Sequence, residues 1–331
     1  MIDLLASQWL GTPAWFWLAF LALVAALTAF DLGVLNRENR EMGIAESLKL
    51  SLFYITVALA FGVWIWVERG PEYGMMYYTG FFIEKALSID NVFVISLIFS
   101  YFAIPRKYQY RALLWGILAV IVLRGLMIAG GAALVAEAYW VLYLFAAFLI
   151  VTGVKMFFTT DHDPDIGNNA AIRWIARHMR VTPQLHGEKF LVRVPHPVTG
   201  RLVIAATPLL LSLVVINIAD LVFAVDSVPA IFTITTDTFI VYTSNIMAIL
   251  GLRALYFALA AMIHRFEYLK YALAAVLVFI GGKILVSDFL LGGAKFPPVA
   301  SLLVTMALIA AGVLYSLWKT RGQPFTTGES P

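Results

Sequence analysis

Tyr143-Leu-Phe-Ala-Ala-Phe-Leu-Ile-Val-Thr-Gly-Val-Lys155 recurs 128 residues later as Tyr271-Ala-Leu-Ala-Ala-Val-Leu-Val-Phe-Ile-Gly-Gly-Lys283. Two further matches come before it in the same order. Leu123-Arg124-Gly-Leu126 lies over Leu252-Arg253-Ala-Leu255 at an offset of 129, and Asp90-Asn-Val-Phe93 over Asp220-Leu-Val-Phe223 at 130. Chance likeness between apolar helices is the competing explanation. It accounts least well for arginines and lysines paired at equivalent places and nearly constant spacing.

The blocks around these matches are apolar throughout. Of 331 residues, 62% are hydrophobic and 13% charged, about half the charged fraction of roughly 25% usual in soluble domains. Mean hydropathy is +0.88. A membrane helix needs about 20 apolar residues, and nine stretches qualify, at about 15–35, 48–67, 77–102, 113–136, 139–158, 202–234, 239–263, 266–289 and 298–318. The predicted fold class is all-α integral membrane, one polytopic domain over 1–331. The sixth stretch is too long for one straight span and contains Pro208 and Pro229, so a kink, break or loop-like end is expected there. No Lys or Arg precedes the first apolar run and no small-residue cleavage site follows it, so that run is expected to stay as a helix.

Spans three to five (repeat A, about 77–158) thus recur as spans six to eight (repeat B, about 202–289), on either side of a cytoplasmic loop at about 159–201. Helices at 15–35, 48–67 and 298–318 are extra. A three-helix unit is odd, so its second copy must enter from the opposite side. This is the 3+3 inverted repeat of secondary transporters, whose substrate site lies near the midplane between the copies.

Lys and Arg sort with this count. Sixteen, from Arg37 to Arg321, fall on one side and only Arg69 and Lys295 on the other, which predicts an N-terminus outside and a C-terminus in the cytoplasm. The net charge of +3 follows from that bias, and a nucleic-acid partner is not expected. Absence of cysteine rules out disulfides, thiolate metal ligands and Cys nucleophiles. No phosphate-binding loop, H-E-x-x-H or G-x-S-x-G motif is present, so the chain is not expected to be an enzyme. Energy would come from an ion gradient, a membrane potential or a partner.

Both copies carry acids in their first helix: Phe82-Ile-Glu84-Lys85-Ala-Leu-Ser-Ile-Asp90-Asn91-Val-Phe-Val, and Asn217-Ile-Ala-Asp220-Leu-Val-Phe-Ala-Val-Asp226-Ser227-Val-Pro229. One register pairs Glu84 with Asp220 and Asp90 with Asp226; the offset of 130 pairs Asp90 with Asp220. Both stay open. In a straight helix a step of seven returns to nearly the same face and a step of six lies about 120° away. A locally unwound segment would gather the acids, and Pro229 is placed to help in the second copy.

Carboxylates at membrane depth cannot stay ionised and unpaired. The structural reading is that Lys85, Arg124 or Arg253 neutralises them as buried ion pairs. The functional reading is an all-oxygen site for a hard divalent cation such as Mn²⁺, Mg²⁺ or Ca²⁺. Glu84, Asp90, Asp220 and Asp226 would be its ligands and Asn91, Asn217 and Ser227 auxiliary ligands. Lys85, Arg124 and Arg253 would balance charge or hold the repeats together. Other residues weigh less. Thr243, Ser244 and Asn245 either line the path or cap a helix, Asp31 reads as interfacial, and His162, His178 and His186 with Asp161, Asp163 and Asp165 read as a solvated loop.

The stretches Ile83-Glu84-Lys85-Ala-Leu-Ser-Ile-Asp90-Asn91-Val-Phe-Val, Phe223-Ala-Val-Asp226-Ser227-Val-Pro229-Ala-Ile-Phe and Thr243-Ser-Asn-Ile-Met-Ala-Ile-Leu-Gly-Leu-Arg253-Ala-Leu-Tyr resemble those of the bacterial TerC family, in particular its Alx-like branch. The likeness runs from about residue 31 to 318. It implies an inner-membrane protein of the LysE-type transporter superfamily, associated with tellurite resistance and, in the Alx branch, with Mn²⁺ export. Glu84, Asp90, Asp220 and Asp226 match the family's acidic motif positions. Where relatives usually have Glu, this chain has Asn217, which keeps an oxygen but loses a charge.

The expectation is therefore a secondary exporter of a hard divalent cation, most readily Mn²⁺, with no permanently bound cofactor and with proton coupling. Its partners would be the cation, protons and the bilayer. The alternatives are a membrane scaffold of a tellurite or metal stress-resistance complex without transport, and a membrane redox component, for which neither thiols nor a haem-ligand pair is evident.

Overall fold

The computed structural model describes residues 7–31, 43–138, 140–158, 181–182, 184–195, 201–259, 268–290 and 296–321; the side chains of Asp90, Asp226, Phe289 and Leu290 lie outside the described set. A two-stranded hairpin, β1 (Gln8–Trp9) and β2 (Thr12–Pro13), leads into α1 (Ala14–Phe30). Then come α2 (Ile44–Arg69), α3 (Pro71–Tyr101), α4 (Arg106–Glu137) and α5 (Val141–Phe158). A second hairpin, β3 (Leu191–Pro195) with β4 (Leu202–Ala206), precedes α6 (Pro208–Phe232), α7 (Thr238–Leu250), α8 (Leu252–Leu259), α9 (Leu269–Leu285) and α10 (Pro298–Lys319).

Local chemistry sets several of these boundaries. Gly70, at φ 95°, ends α2, and Pro71 opens α3, because glycine tolerates the left-handed turn and proline needs no N–H partner in a first helical turn. Pro208 likewise sits at the start of α6, where the Thr207 hydroxyl accepts from Leu210 N at 3.4 Å. Asp237 caps α7 by accepting from Ile240 N at 3.0 Å.

Among the described residues, seven helices are long and apolar enough to cross a membrane: α2, α4, α5, α6, α7 continued by α8, α9 with the π turn that follows it, and α10. Of the nine stretches expected from sequence, two fall outside this set for different reasons. α1 is apolar but has only 17 residues. α3 has ample length at 31 residues, but Glu84, Lys85 and Asp90 interrupt its apolar run.

Other expectations are corrected. Residues 202–206 are a strand, so the helix of the sixth stretch begins at Pro208, and α3 begins at Pro71 rather than near 77. Both acid-bearing helices are continuous through 84–91 and 220–227; no unwound segment gathers the carboxylates, and Pro229 lies inside α6, one turn from its end. The break falls instead at Gly251, between α7 and α8.

The most extensive helix pairings are α5 with α9, α3 with α7, and α4 with α6. Each joins a helix of 71–158 to one of 208–285: third with third, first with second, second with first. The α5–α9 contact is reciprocal in detail. A Cβ at Gly153 would stand 2.7 Å from the Ala274 carbonyl oxygen, and one at Gly281 would stand 2.5 Å from that of Ala146. Gly153 and Gly281 are 128 residues apart, as are Ala146 and Ala274, and contact of i with j matched by j with i is the form of an isologous interface. Only glycine permits so close an approach of two backbones.

Candidate functional site

The site is built where α3, α4, α6 and α7 cross. Arg124 of α4 is fully buried. Its Nε donates to Asp220 Oδ2 at 3.0 Å and its Nη2 to Asp220 Oδ1 at 2.9 Å, the two-pronged geometry that makes arginine–carboxylate pairs strong. Nη1 donates to Glu84 Oε1, to Asn245 Oδ1 at 2.9 Å and to Ser227 Oγ at 3.2 Å. Asn245 closes the ring, its Nδ2 donating to Glu84 Oε2 at 3.2 Å. One guanidinium thus serves two buried carboxylates, and formal charge in the cluster sums to a negative surplus.

Helix geometry explains who takes part. Asp220 and Ser227, seven residues apart on α6, share a face and both meet Arg124. Glu84 and Asn91 stand in the same relation on α3. Asn91 is buried and, with Asp220, Ala219 and Ile216, lines a space of about 20 Å³, room for one water or one bare cation. Its Oδ1 has no hydrogen-bond partner among the described residues, nor has Asn217 Oδ1. Asn217 Nδ2 is spent on Leu213 O at 2.8 Å. A buried carbonyl oxygen without a donor is unfavourable unless a cation or water serves it.

Lys85 does not pair with a carboxylate among the described residues. Its Nζ donates to Ala248 O at 3.2 Å, a carbonyl in the last turn of α7 that the break at Gly251 leaves without its usual donor, where positive charge is favoured. Arg253, which the offset of 129 lays over Arg124, joins a separate buried cluster. It is ion-paired with Asp31, which also accepts from Tyr54 OH. The guanidinium lies over the Tyr110 ring, 4.3 Å from its centroid, and Tyr110 OH donates to Asp31 O at 3.1 Å. Arg253 Nε and Nη1 have no acceptor among the described residues.

A second, larger cavity of about 660 Å³ opens among the start of α3, the ends of α6 and α9 and the start of α10, lined by Glu72, Thr79, Thr233, Thr235, Lys283 and Asp288 among others. Lys283 Nζ donates to Ser301 Oγ at 3.2 Å, and Asp288 accepts from Tyr143 OH at 2.8 Å. Thr79 precedes Glu84 by five residues, about 7.5 Å along the helix.

Of the four expected carboxylates, Glu84 and Asp220 are brought together, around Arg124; the side chains of Asp90 and Asp226 are outside the described set. Among the described residues no three His, Asp or Glu side chains are grouped to hold a metal. Asn245, read as lining the path or capping a helix, lies mid-helix in the cluster; three successive polar residues inside an apolar span are the signal for it. Asp31, read as interfacial, is 5% exposed. One acid at the end of an apolar run carries no mark of burial until α1 is packed. His186 is exposed, while His162, His178, Asp161, Asp163 and Asp165 lie outside the described residues.

These features define a polytopic helical membrane protein that keeps ionisable groups inside its bundle. More particularly, the chain belongs to the TerC family: the model "Integral membrane protein TerC family" matches residues 69–324. It is 46% identical over 301 residues to an uncharacterized membrane protein of Rickettsia felis, covering 91% of this chain and 97% of the relative. It is 43% identical over 321 residues to an uncharacterized membrane protein of Myxococcus xanthus, covering 97% of each. It is also 41% identical over 318 residues to the "Putative membrane-bound redox modulator Alx" of Escherichia coli K12, covering 93% and 95%. No solved structure matches the chain.

Proposed function

We propose that this protein is a secondary transporter exporting a hard divalent cation, most readily Mn²⁺, across the bacterial inner membrane. In this reading it has nine spans with a 3+3 inverted repeat, the N-terminus outside and the C-terminus in the cytoplasm. It is not an enzyme, holds no permanent cofactor and takes no nucleic acid; its partners are the cation, protons and lipid. The crossed pairing of α3, α4 and α5 with α7, α6 and α9, and the Gly153–Ala274 and Gly281–Ala146 reciprocity, support the repeat.

One observation carries the transport reading: a single buried guanidinium shared by Glu84 and Asp220 from the two halves, with the amide oxygen of Asn91, which lines a small space with Asp220, served by no described donor. Arg124 acts as a resident counter-cation that makes the empty site tolerable. The arriving metal ion takes oxygen ligands from Glu84, Asp90, Asp220 and Asp226, with Asn91, Asn217 and Ser227 auxiliary, and loosens the hold of Arg124. When it leaves, a carboxylate that has lost its cation takes up a proton, which couples the two ions. The cavity above Thr79 is the exit. Oxygen donors favour Mn²⁺, Mg²⁺ or Ca²⁺ over thiophilic metals, and choice among them rests on geometry and availability.

Flux into proteoliposomes tests this. The wild type moves Mn²⁺ faster with a pH gradient, and an Asp90→Ala, Asp226→Ala double variant does not; equal flux in both would refute it.

A non-transporting scaffold for a stress-resistance complex is favoured by the same Arg124 bonds if they are permanent; purified protein without a metal-dependent thermal shift would then be expected. The redox role in the relatives' name transfers only as a further proposal and, without cysteine, would need a carrier other than a thiol.

A further inference from the structure

The β3–β4 hairpin is apolar on both faces. Directly paired residues of two antiparallel strands point the same way, and the register pairs Arg193 with Ile204 and Pro195 with Leu202. That face also carries Leu191 and is open: Leu191, Leu202 and Ile204 are 54%, 68% and 63% exposed. The other face, with Val192, Val194, Val203 and Ala205, is partly or fully buried. A lone hairpin is marginal in water and gains nothing by showing such a row to solvent.

Its position is fixed at the ends of membrane-spanning helices. Thr207, the cap of α6, donates its hydroxyl to Lys189 O at 2.8 Å and its N–H to Phe190 O at 3.0 Å. On α4, Arg111 bonds Glu188 at 2.8 Å and lies over the Phe190 ring. Arg193 and Arg201 are exposed at the hairpin itself, on the side where basic residues collect.

We propose that this hairpin is a binding element for anionic phospholipid: Leu191, Pro195, Leu202 and Ile204 enter the boundary between headgroups and acyl chains, while Arg193 and Arg201 reach lipid phosphates. An open face of apolar residues that also carries Arg193, with Arg201 at its end, fits an element that lies in an anionic interface, held by buried apolar area and by surface potential together. Because Thr207 joins hairpin and helix, the lipid contact also fixes the start of α6, thirteen residues before Asp220.

The native absence of cysteine makes the test direct and independent of any transport activity. A nitroxide is placed on the full chain at Ile204→Cys, with Leu202→Cys as a second label and Val192→Cys as the inward control. The protein is reconstituted in nanodiscs of phosphatidylcholine alone or mixed with phosphatidylglycerol. With phosphatidylglycerol, labels at 204 and 202 should become severalfold more accessible to oxygen than to a water-soluble nickel chelate. Arg193→Gln with Arg201→Gln should abolish the difference between lipids, and the label at 192 should not respond. Equal access of the chelate in both lipids, the same depth in both, or shielding from both reagents by chain, second copy or partner protein would each overturn the proposal.

Discussion

Arg124 grips Asp220 by two parallel hydrogen bonds, Nε to Oδ2 at 3.0 Å and Nη2 to Oδ1 at 2.9 Å, joining α4 to α6. Its remaining nitrogen has two hydrogens for the three acceptors on Glu84, Asn245 and Ser227, so one of these bonds is shared. A buried charge held this closely is hard to remove and informative when removed.

Arg124→Ala should destabilise the protein by about 3–5 kcal/mol, the usual result of stranding buried carboxylates. Adding Glu84→Gln should restore part of the loss, because one fewer charge is then uncompensated. Thermal unfolding in detergent across the double-mutant cycle measures this; strictly additive effects would mean that Arg124 and Glu84 do not interact.

Gly153→Ala and Gly281→Ala should each destabilise by about 1–3 kcal/mol, since each new methyl meets a backbone oxygen that cannot swing away. The two losses should be alike, as the contacts are reciprocal. Gly130→Ala, which meets nothing within 4 Å, should be neutral or stabilising by up to about 1 kcal/mol through helix propensity. Melting curves of the three variants decide the matter.

Asp31→Asn should lower stability by about 3–5 kcal/mol by leaving Arg253 buried without its carboxylate. Tyr54→Phe, which removes only one hydrogen bond to Asp31, should have a smaller effect of about 1–2 kcal/mol. If Asp31 were an interfacial residue, both changes would be silent in the same unfolding assay.

Asn217→Glu adds a carboxylate to the expected ligand set. In the transport reading it should lower the Mn²⁺ concentration giving half-maximal flux about tenfold, since carboxylate count tunes affinity at oxygen sites. An unchanged concentration dependence would remove Asn217 from the ligand set.

Much of the site was legible because intramembrane charge is rare. Glu84, Arg124 and Asp220 stood out of apolar runs by composition alone, and the step of seven from Asp220 to Ser227 correctly put both on one face. Asn245 and Asp31 were undervalued because an amide or a single acid near the end of a span has several ordinary explanations, and only packing chooses among them. Lys85, read as balancing charge or holding the structure together, donates to Ala248 O beside a helix break at Gly251 that no proline in the sequence marks.

Sequence alone determined that this is a helical membrane protein, because runs of about 20 apolar residues have no other stable home. It also set the offset of 128 at which Gly153 and Gly281 correspond. Tertiary structure alone decided which charges meet. Helix periodicity gives a residue its face but not its neighbour, and whether Arg124 reaches Asp220 or Arg253 reaches Asp31 depends on how the helices cross.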